Sequence, residues 1–268
     1  MGFFMARLQK LRLSTLTVLS DHPVLNQVAQ DLLTGVDPAE LPRRKIRVFI
    51  GLHRKYGLHY LRPGAKISLQ TEHYFDADGR AMWRKMKRWR TFRAALFSHC
   101  ILDLSAANAP HYDFLPGFLR RRVHFGPHIF PSHQPGFTPG QVPGFLFYGE
   151  VNDRRQALLD ALPEGTARLA PPQSFGADLQ RLILAADGVL NLHYAEGRYS
   201  EMPRLLSACL AGKAVMSERL GPELEMGRDY LAPGPLPRAE EIRGIYEGFW
   251  KNFAALHSFT AFLRRVFG

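Results

Sequence analysis

The 268 residues predict an α/β protein built from two parallel-sheet halves, and three observations carry that prediction. Residues 188–218 read as one βαβ unit. An apolar run (Val189-Leu190-Asn191-Leu192-His193-Tyr194) leads into a polar loop with Gly197, Arg198 and Ser200. A helical pattern then repeats Leu205, Leu206, Cys209 and Leu210 until Gly212, and Ala214-Val215-Met216 follows as a second strand. Polar groups therefore collect where strands end and a helix begins, the edge at which open α/β sheets hold ligands. Strand and helix patterns also alternate through the rest of the second half, as a helix-wrapped parallel sheet requires. Finally, Pro135-Gly136, Pro139-Gly140 and Pro143-Gly144 interrupt the middle of the chain, where neither a helix nor a central strand is favoured.

In chain order, strand-length apolar runs fall at 16–19, 46–50, 67–69, 100–104 and 123–125, with helical patterns at 23–33 and 80–96. Beyond the Pro-Gly stretch, strands are expected at 145–148, 167–169, 189–192 and 214–216, and helices at 153–162, 176–186 and 201–211. The tail from Ala239 onward is helical in pattern. The expected organisation is a first domain over 1–134, a linker over 135–144, a second domain over 145–238 and a C-terminal helix over 239–268.

Composition narrows the class. With 46% apolar and 22% charged residues, the chain can bury one large core or two modest ones. No apolar run approaches the ~20 residues that cross a bilayer. Residues 1–13 lack a long apolar region and a small-residue cleavage site, so a cytoplasmic protein without a signal peptide is expected. Cys100 and Cys209 sit in apolar runs and read as buried thiols. No zinc spacing, Walker loop or G-x-G-x-x-G is present. Asp76-Ala77-Asp78 spells a D-x-D, but Asp78-Gly79 reads as a turn followed by a helix start. Neither a metal nor a cofactor is expected.

The formal charge of +11 is unevenly placed. Arg80, Arg84, Lys85, Lys87, Arg88, Arg90 and Arg93 crowd one segment, and Trp83, Met86, Trp89, Phe92 and Leu96 recur through it at helical spacing. This pattern is either a solvated surface helix packed by its aromatics or a patch for an anionic partner. That partner would be a membrane surface, giving peripheral association at the inner membrane face, or a negatively charged acceptor. Nucleic acid is set aside because no recognition motif accompanies the charge.

A resemblance adds to this reading. Leu190, Asn191, His193, Tyr194, Glu201, Arg204, Gly212, Val215, Ser217 and Glu218 follow the pattern "LN-H-Y, E-x-x-R, small-rich helix, G-x-x-V-x-S-E". Residues 146–155 (LFYGEVNDRR) follow "F-x-G-x-x-N-x-R-R". Gln70-Thr71-Glu72 and Asp103-Leu104-Ser105-Ala106-Ala107-Asn108 are similar to "TE" and "S-x-x-N" positions. Together these blocks resemble the bacterial group 1 and spore-coat-related glycosyltransferase-like proteins of GT-B type, across most of residues 66–223. The resemblance implies two Rossmann-like domains, the first reduced because 268 residues are short for two full ones, with the C-terminal helix returning to it. It also implies transfer of a sugar from a nucleotide-sugar donor to a hydroxyl of a saccharide, lipid-linked or protein acceptor, without a metal. One departure stands out. Larger GT-B families place two glutamates eight residues apart here; counted back from Gly212, those positions hold Tyr199 and Ser207. Either Glu201 acts from a shifted position or the donor grip has weakened. The alternatives are then a non-catalytic GT-B-like binding or scaffold protein, or a basic membrane-surface adaptor.

Such a donor presents a diphosphate, a ribose diol and a sugar leaving group. Arg154, Arg155 and Arg204 are the phosphate candidates, because guanidinium forks match phosphate oxygens and cations in a first helical turn are unfavourable unless an anion offsets them. Gly149, Asn152 and Ser217 join the donor side through the resemblance. Glu218 or Glu201 would accept from ribose hydroxyls, and His193 would contact phosphate or sugar. Glu201, which also reads as a first-turn acid behind Ser200 as N-cap, is the catalytic candidate of the second domain. Glu72 is the acceptor-side base of the first.

Overall fold

A computed structural model describes residues 8–82 and 87–268, in two compact units. The first ends at Ser132 and regains the chain at His257–Gly268; the second is His133–Leu256.

In the first unit the elements run β1 (Gln9–Leu13), β2 (Leu16–Ser20), α1 (Pro23–Thr34), β3 (Ile46–Ile50), β4 (Ala65–Gln70), α2 (Arg88–Phe97), β5 (Cys100–Asp103), α3 (Gly117–Arg120) and β6 (Val123–Phe125). Strands β2 to β6 are parallel and lie side by side in chain order, and β1 is an antiparallel edge. The unit is pared down where crossovers are short. Only a 3₁₀ segment, Gly57–Leu61, joins β3 to β4, and a 3₁₀ segment with the four-residue α3 joins β5 to β6. Aromatic packing fills the place of a missing helix: Tyr56 and Tyr60 close over Leu19 and Phe49, with Phe49 and Tyr60 ring centroids 4.4 Å apart. The Tyr56 hydroxyl lies against the carbonyls of Leu19 and Ile50, so its polar end is satisfied.

The helix expected over 80–96 is shorter. Asp76 Oδ1 accepts from the amides of Asp78 at 3.0 Å and Arg80 at 2.8 Å, and Phe75 bridges Ala81, so Arg80 lies in a turn before the helix. Trp83, Arg84, Lys85 and Met86 lie outside the described residues. Helix α2 starts at Arg88 and buries Thr91, Ala94 and Ala95, while Trp89 is 65% exposed and Leu96 is exposed. Of the described part of the expected stripe, Phe92 packs against the core of this unit while Trp89 and Leu96 point outward, and Thr91, Ala94 and Ala95 supply the buried face.

The second unit runs β7 (Val142–Phe147), α4 (Asp153–Asp160), β8 (Ala167–Leu169), α5 (Gly176–Ala185), β9 (Ala186–Asn191), α6 (Met202–Leu210), β10 (Ala214–Ser217) and α7 (Ala239–Asn252). Its sheet is wholly parallel in the order β10-β9-β7-β8. The two sheets with their crossovers are Rossmann-like. The Pro-Gly stretch is part of this unit, and its last pair lies inside β7. Proline cannot donate to the ladder, and the pairing with β9 shifts register there, between Val142 and Phe145. Phe145, Phe147, Leu190, Leu192, Ala214 and Met216 face Ile242, Ile245 and Tyr246 of α7 as the core.

The tail is broken after α7. Residues 253–258 leave the helix, and α8 (Phe259–Phe267) starts at Ser258, whose side chain accepts from the Ala261 amide. Helix α8 belongs to the first unit, where Phe262 meets the rings of His124 and His128. Among the described residues, no helix is long and apolar enough to cross a membrane.

Candidate functional site

The C-terminal ends of β7, β9 and β10 and the N-termini of α4 and α6 meet at one edge of the second sheet. Asn152 caps α4 by accepting from the Arg155 amide at 2.9 Å, and its Nδ2 donates to the Tyr194 carbonyl at 2.8 Å. The cap thus ties the first turn of α4 to the loop after β9, and it delivers Arg154 and Arg155 into that loop.

The two arginines have different partners. Arg154 donates through both Nη atoms to Glu218 and to the His193 carbonyl at 2.9 Å. Burial pushes the Glu218 carboxyl up, but Arg154 and the His193 amide at 2.8 Å more than offset it and leave it below its ordinary value. Arg155 is buried: its Nε donates to the Leu192 carbonyl at 3.0 Å, Nη1 to the Glu150 carbonyl at 2.7 Å and Nη2 to Glu201 at 3.2 Å. Its guanidinium also lies 5.4 Å from the ring centroids of Phe147 and Tyr194. Arg155 is a clamp whose donors are used by the protein.

Arg204 differs from both. It is 8% exposed; its Nη2 donates to the Tyr148 carbonyl at 3.2 Å and pairs with Glu201 at 3.1 Å, and its plane lies 5.0 Å from the Tyr148 ring centroid. Its Nε and Nη1 are buried with no hydrogen-bond partner. Leaving buried charged donors unmet costs free energy that an incoming anion would return. Gly149 stands against this group at φ +115°, and a Cβ there would lie 3.4 Å from Arg204 Nη2 and 3.8 Å from Arg155 Nη1. A side chain at 149 would occupy the space directly in front of two guanidiniums, and glycine leaves it open.

His193 completes the edge. It is buried, stacks on Tyr199 with centroids 4.1 Å apart, and places Nδ1 3.1 Å from the Gly197 carbonyl. A proton on Nδ1 leaves Nε2 as an acceptor, and Nε2 is buried without a partner. Burial holds the imidazole below its ordinary pKa, so it is neutral at pH 7. The cluster has three arginines and two glutamates in direct contact, with the carboxylates of Glu196 and Glu150 acting on Arg154 and Arg155 from further off.

Of the residues expected at the donor side, Gly149, Asn152, Arg154, Arg155, His193, Glu201, Arg204 and Glu218 are gathered here. Ser217, the last residue of β10, is buried, and its hydroxyl accepts from Asn191 Nδ2 at 2.9 Å. Ser200 is not the cap of α6: its hydroxyl bonds Glu223 at 2.7 Å and the Gly221 amide at 2.9 Å, and Glu201 occupies the cap position without a side-chain bond to the helix. Ser207, where the larger families have an acid, donates to the Pro203 carbonyl of its own helix at 3.1 Å. Pattern reading passed over the ring of Tyr199 and the aromatic bed of Phe147 and Tyr148; the run of aromatics before Gly149 was the available signal.

Glu72 lies in the first unit, just past β4. Its loop is held by Asn108, which accepts from the Tyr74 amide at 2.7 Å and donates to the Glu72 carbonyl at 2.9 Å and to Asp103 at 3.0 Å. In the basic segment, Arg88 and Arg93 lie over the rings of Phe114 and Tyr60, and Arg90 donates to the His53 carbonyl. Lys87 is exposed at the start of α2, and Arg84 and Lys85 fall outside the described residues. Burial pushes both thiols up, Cys100 to about 12, which leaves them unreactive. Among the described residues, no group of three or more His, Cys, Asp or Glu is placed to hold a metal ion.

No protein-family model matches the chain, and a search of curated proteins finds no match. Among solved structures, the chain is similar to the GtfA/B complex bound to UDP and GlcNAc, with 10% identity and a TM-score of 0.35, covering 83% of this chain and 56% of that one. It is also similar to Anabaena Alr3699/HepE in complex with UDP, with 14% identity and a TM-score of 0.40, covering 92% and 80%. S. aureus TarM in complex with Fondaparinux, alpha-GlcNAc-glycerol and UDP gives 12% identity and a TM-score of 0.38, covering 82% and 51%. The chain thus spans about half the length of the first and third.

Proposed function

We propose that this protein is a GT-B-type glycosyltransferase that binds a nucleotide sugar at the β7–β9–β10 edge of its second unit and passes the sugar to a hydroxyl acceptor. The observation that carries the reading is Arg204, a buried guanidinium with Nε and Nη1 unmet beside the open backbone of Gly149. A diphosphate oxygen seated there satisfies donors that the protein leaves bare, and the same contact stabilises the charge that develops on the departing nucleoside diphosphate. His193 Nε2 offers a neutral acceptor for a sugar or ribose hydroxyl. Glu201 holds Arg155 and Arg204 in place, and Arg154 with Glu218 fixes the loop after β9. Glu72, in the first unit, is the candidate acceptor-side base. Saccharide, lipid-linked and protein acceptors are all compatible with this chemistry.

One observation favours a second reading, nucleotide binding without turnover. Glu201 and Glu218 are both engaged by arginines, and Ser207 stands where a second acid would be. Thermal shift against UDP-, GDP-, ADP-, CMP- and dTDP-sugars, followed by measurement of released nucleoside diphosphate, separates the readings. A ligand at about a hundred times its Kd adds about 2.7 kcal/mol of stability. The expected result is a rise with one nucleotide that is lost in Arg204→Gln while the variant keeps its circular dichroism. Binding without release of diphosphate, with acceptor extracts added, would favour the second reading. No rise with any nucleotide would overturn both.

A further inference from the structure

The charge of the chain is divided between its units. Residues 1–132 and 257–268 hold 23 Lys and Arg against 9 Asp and Glu, whereas residues 133–256 hold 12 against 15. Within the first unit the excess is concentrated again: residues 41–71 contain eight Lys and Arg and no Asp or Glu. Strand pairing puts part of it on one sheet face, because Arg12 pairs with Thr17, Thr17 with Arg47 and Arg47 with Lys66. Lys10 projects to the same side two residues along. Arg12 above all, with Arg47 and Arg62, holds the exposed Lys10 ammonium below its ordinary pKa, the sign of cations crowded together. Among the described residues, no carboxylate lies within ion-pair distance of Lys10, Arg12, Arg47 or Arg62.

Exposed apolar side chains stand inside this field. The 3₁₀ segment Gly57–Leu61 presents Leu58 at 79% and Leu61 at 66% exposure, with His59 between them in the field of Arg62, Lys10 and Arg47. The segment is anchored from beneath: Tyr60 is buried against Phe49, and its hydroxyl meets Ser68 at 3.2 Å. Phe97, also exposed, reaches the Tyr60 ring at 6.3 Å and extends the apolar area to the end of α2. Charged residues on an edge strand deter sheet-to-sheet pairing, which accounts for Lys10 and Arg12 on β1. It does not account for leucines held outward on a rigid turn among unpaired cations. Duplex nucleic acid is held by cations on its phosphates and gives outward-held leucines nothing apolar to enter.

We infer that this face docks the first unit onto an anionic phospholipid surface, with Leu58 and Leu61 entering the headgroup boundary while Lys10, Arg12, Arg47 and Arg62 meet lipid phosphates. The two kinds of group act together: leucines alone bind weakly, and cations alone hold the protein only at low salt. The inference is independent of the nucleotide reading.

The test is co-sedimentation of the full chain with vesicles of phosphatidylcholine alone and with vesicles containing about one-quarter phosphatidylglycerol. Binding is expected only to the second. Arg12→Gln with Arg62→Gln should weaken it about 30-fold, from roughly five-fold per basic residue. Leu58→Ser with Leu61→Ser should weaken it about tenfold or more. All four side chains are exposed, so unchanged melting temperatures and unchanged nucleotide responses are expected in both variants. Equal binding to neutral vesicles, full binding by the leucine variant, or tighter binding to duplex nucleic acid than to vesicles at the same salt would each overturn the proposal.

Discussion

Arg154 and Glu218 lie 64 positions apart and meet side by side, both Nη atoms of one on both carboxylate oxygens of the other. The pair joins the first turn of α4 to the end of β10, and Glu218 also takes the His193 amide. Glu218→Gln should lower stability by about 2 kcal/mol, the scale of a charge-assisted hydrogen bond in a half-buried site. The wild-type carboxyl sits below its usual value of 4.5, so its contribution is complete above that pH and is lost as pH falls through the folded value. Urea titrations at falling pH should show an acid limb in the wild type that is flatter in the variant.

Asp103 gives the opposite sign. Burial pushes its carboxyl up to about 7, despite donation from the Tyr112 hydroxyl at 2.6 Å and from Asn108. Its folded value exceeds the ordinary 3.8, so its stabilising contribution is complete below that pH and fades as pH rises through about 7. Melting temperature measured from pH 4 to pH 7 should decline more in the wild type than in Asp103→Asn, whose amide does not titrate.

Lys213 predicts an alkaline effect. Its ammonium is 1% exposed and donates to the carbonyls of Ala186 at 2.7 Å and Pro139 at 3.2 Å, and burial lowers its pKa from 10.5 to about 8. Between those values the unfolded chain binds more protons than the folded one, so stability rises with pH across that window, by up to about 3 kcal/mol. Lys213→Met should remove the rise, a difference that chemical denaturation at pH 8 and pH 10 would register.

Gly212 ends α6 at φ +68°, and a Cβ there would lie 2.0 Å from the Gly136 carbonyl oxygen. Gly212→Ala must both strain the backbone and displace the Pro-Gly segment, so a loss of at least about 2 kcal/mol is expected. Faster proteolysis within residues 135–144 of the variant would show that the segment had come away.

Among the described residues, nine of the ten strands could be read from apolar runs; seven of them are largely buried, as a parallel sheet covered on both faces requires, while β6 and β8 are three-residue strands that are half-buried or exposed. Strand β1 could not: QKLRL is a half-buried edge whose pairing depends on the Ser14-Thr15 turn. The helix over 80–96 was overextended because cations and aromatics at helical spacing look alike whether or not Asp76 first gathers the amides after it. At the site, the arginines were visible as cations in first turns, where an isolated helix would not favour them. Their partners were not. Arg154 reaches Glu218 only because β10 pairs beside β9, and Ser200 prefers Glu223, 23 positions on, to the helix it precedes. Local pattern reports what a residue can do, and tertiary neighbours decide which of those options it takes.

The first unit is assembled from two separated pieces of chain. Its last piece, α8, arrives only after the whole of His133–Leu256, yet Phe262 lies on His124 and His128, and the Phe130 and Phe259 backbones bond to one another. In chain order, therefore, every residue of the second unit is added before the helix that closes the first. The unit begun earlier is the one that must wait, its apolar face in need of shelter until α8 is made.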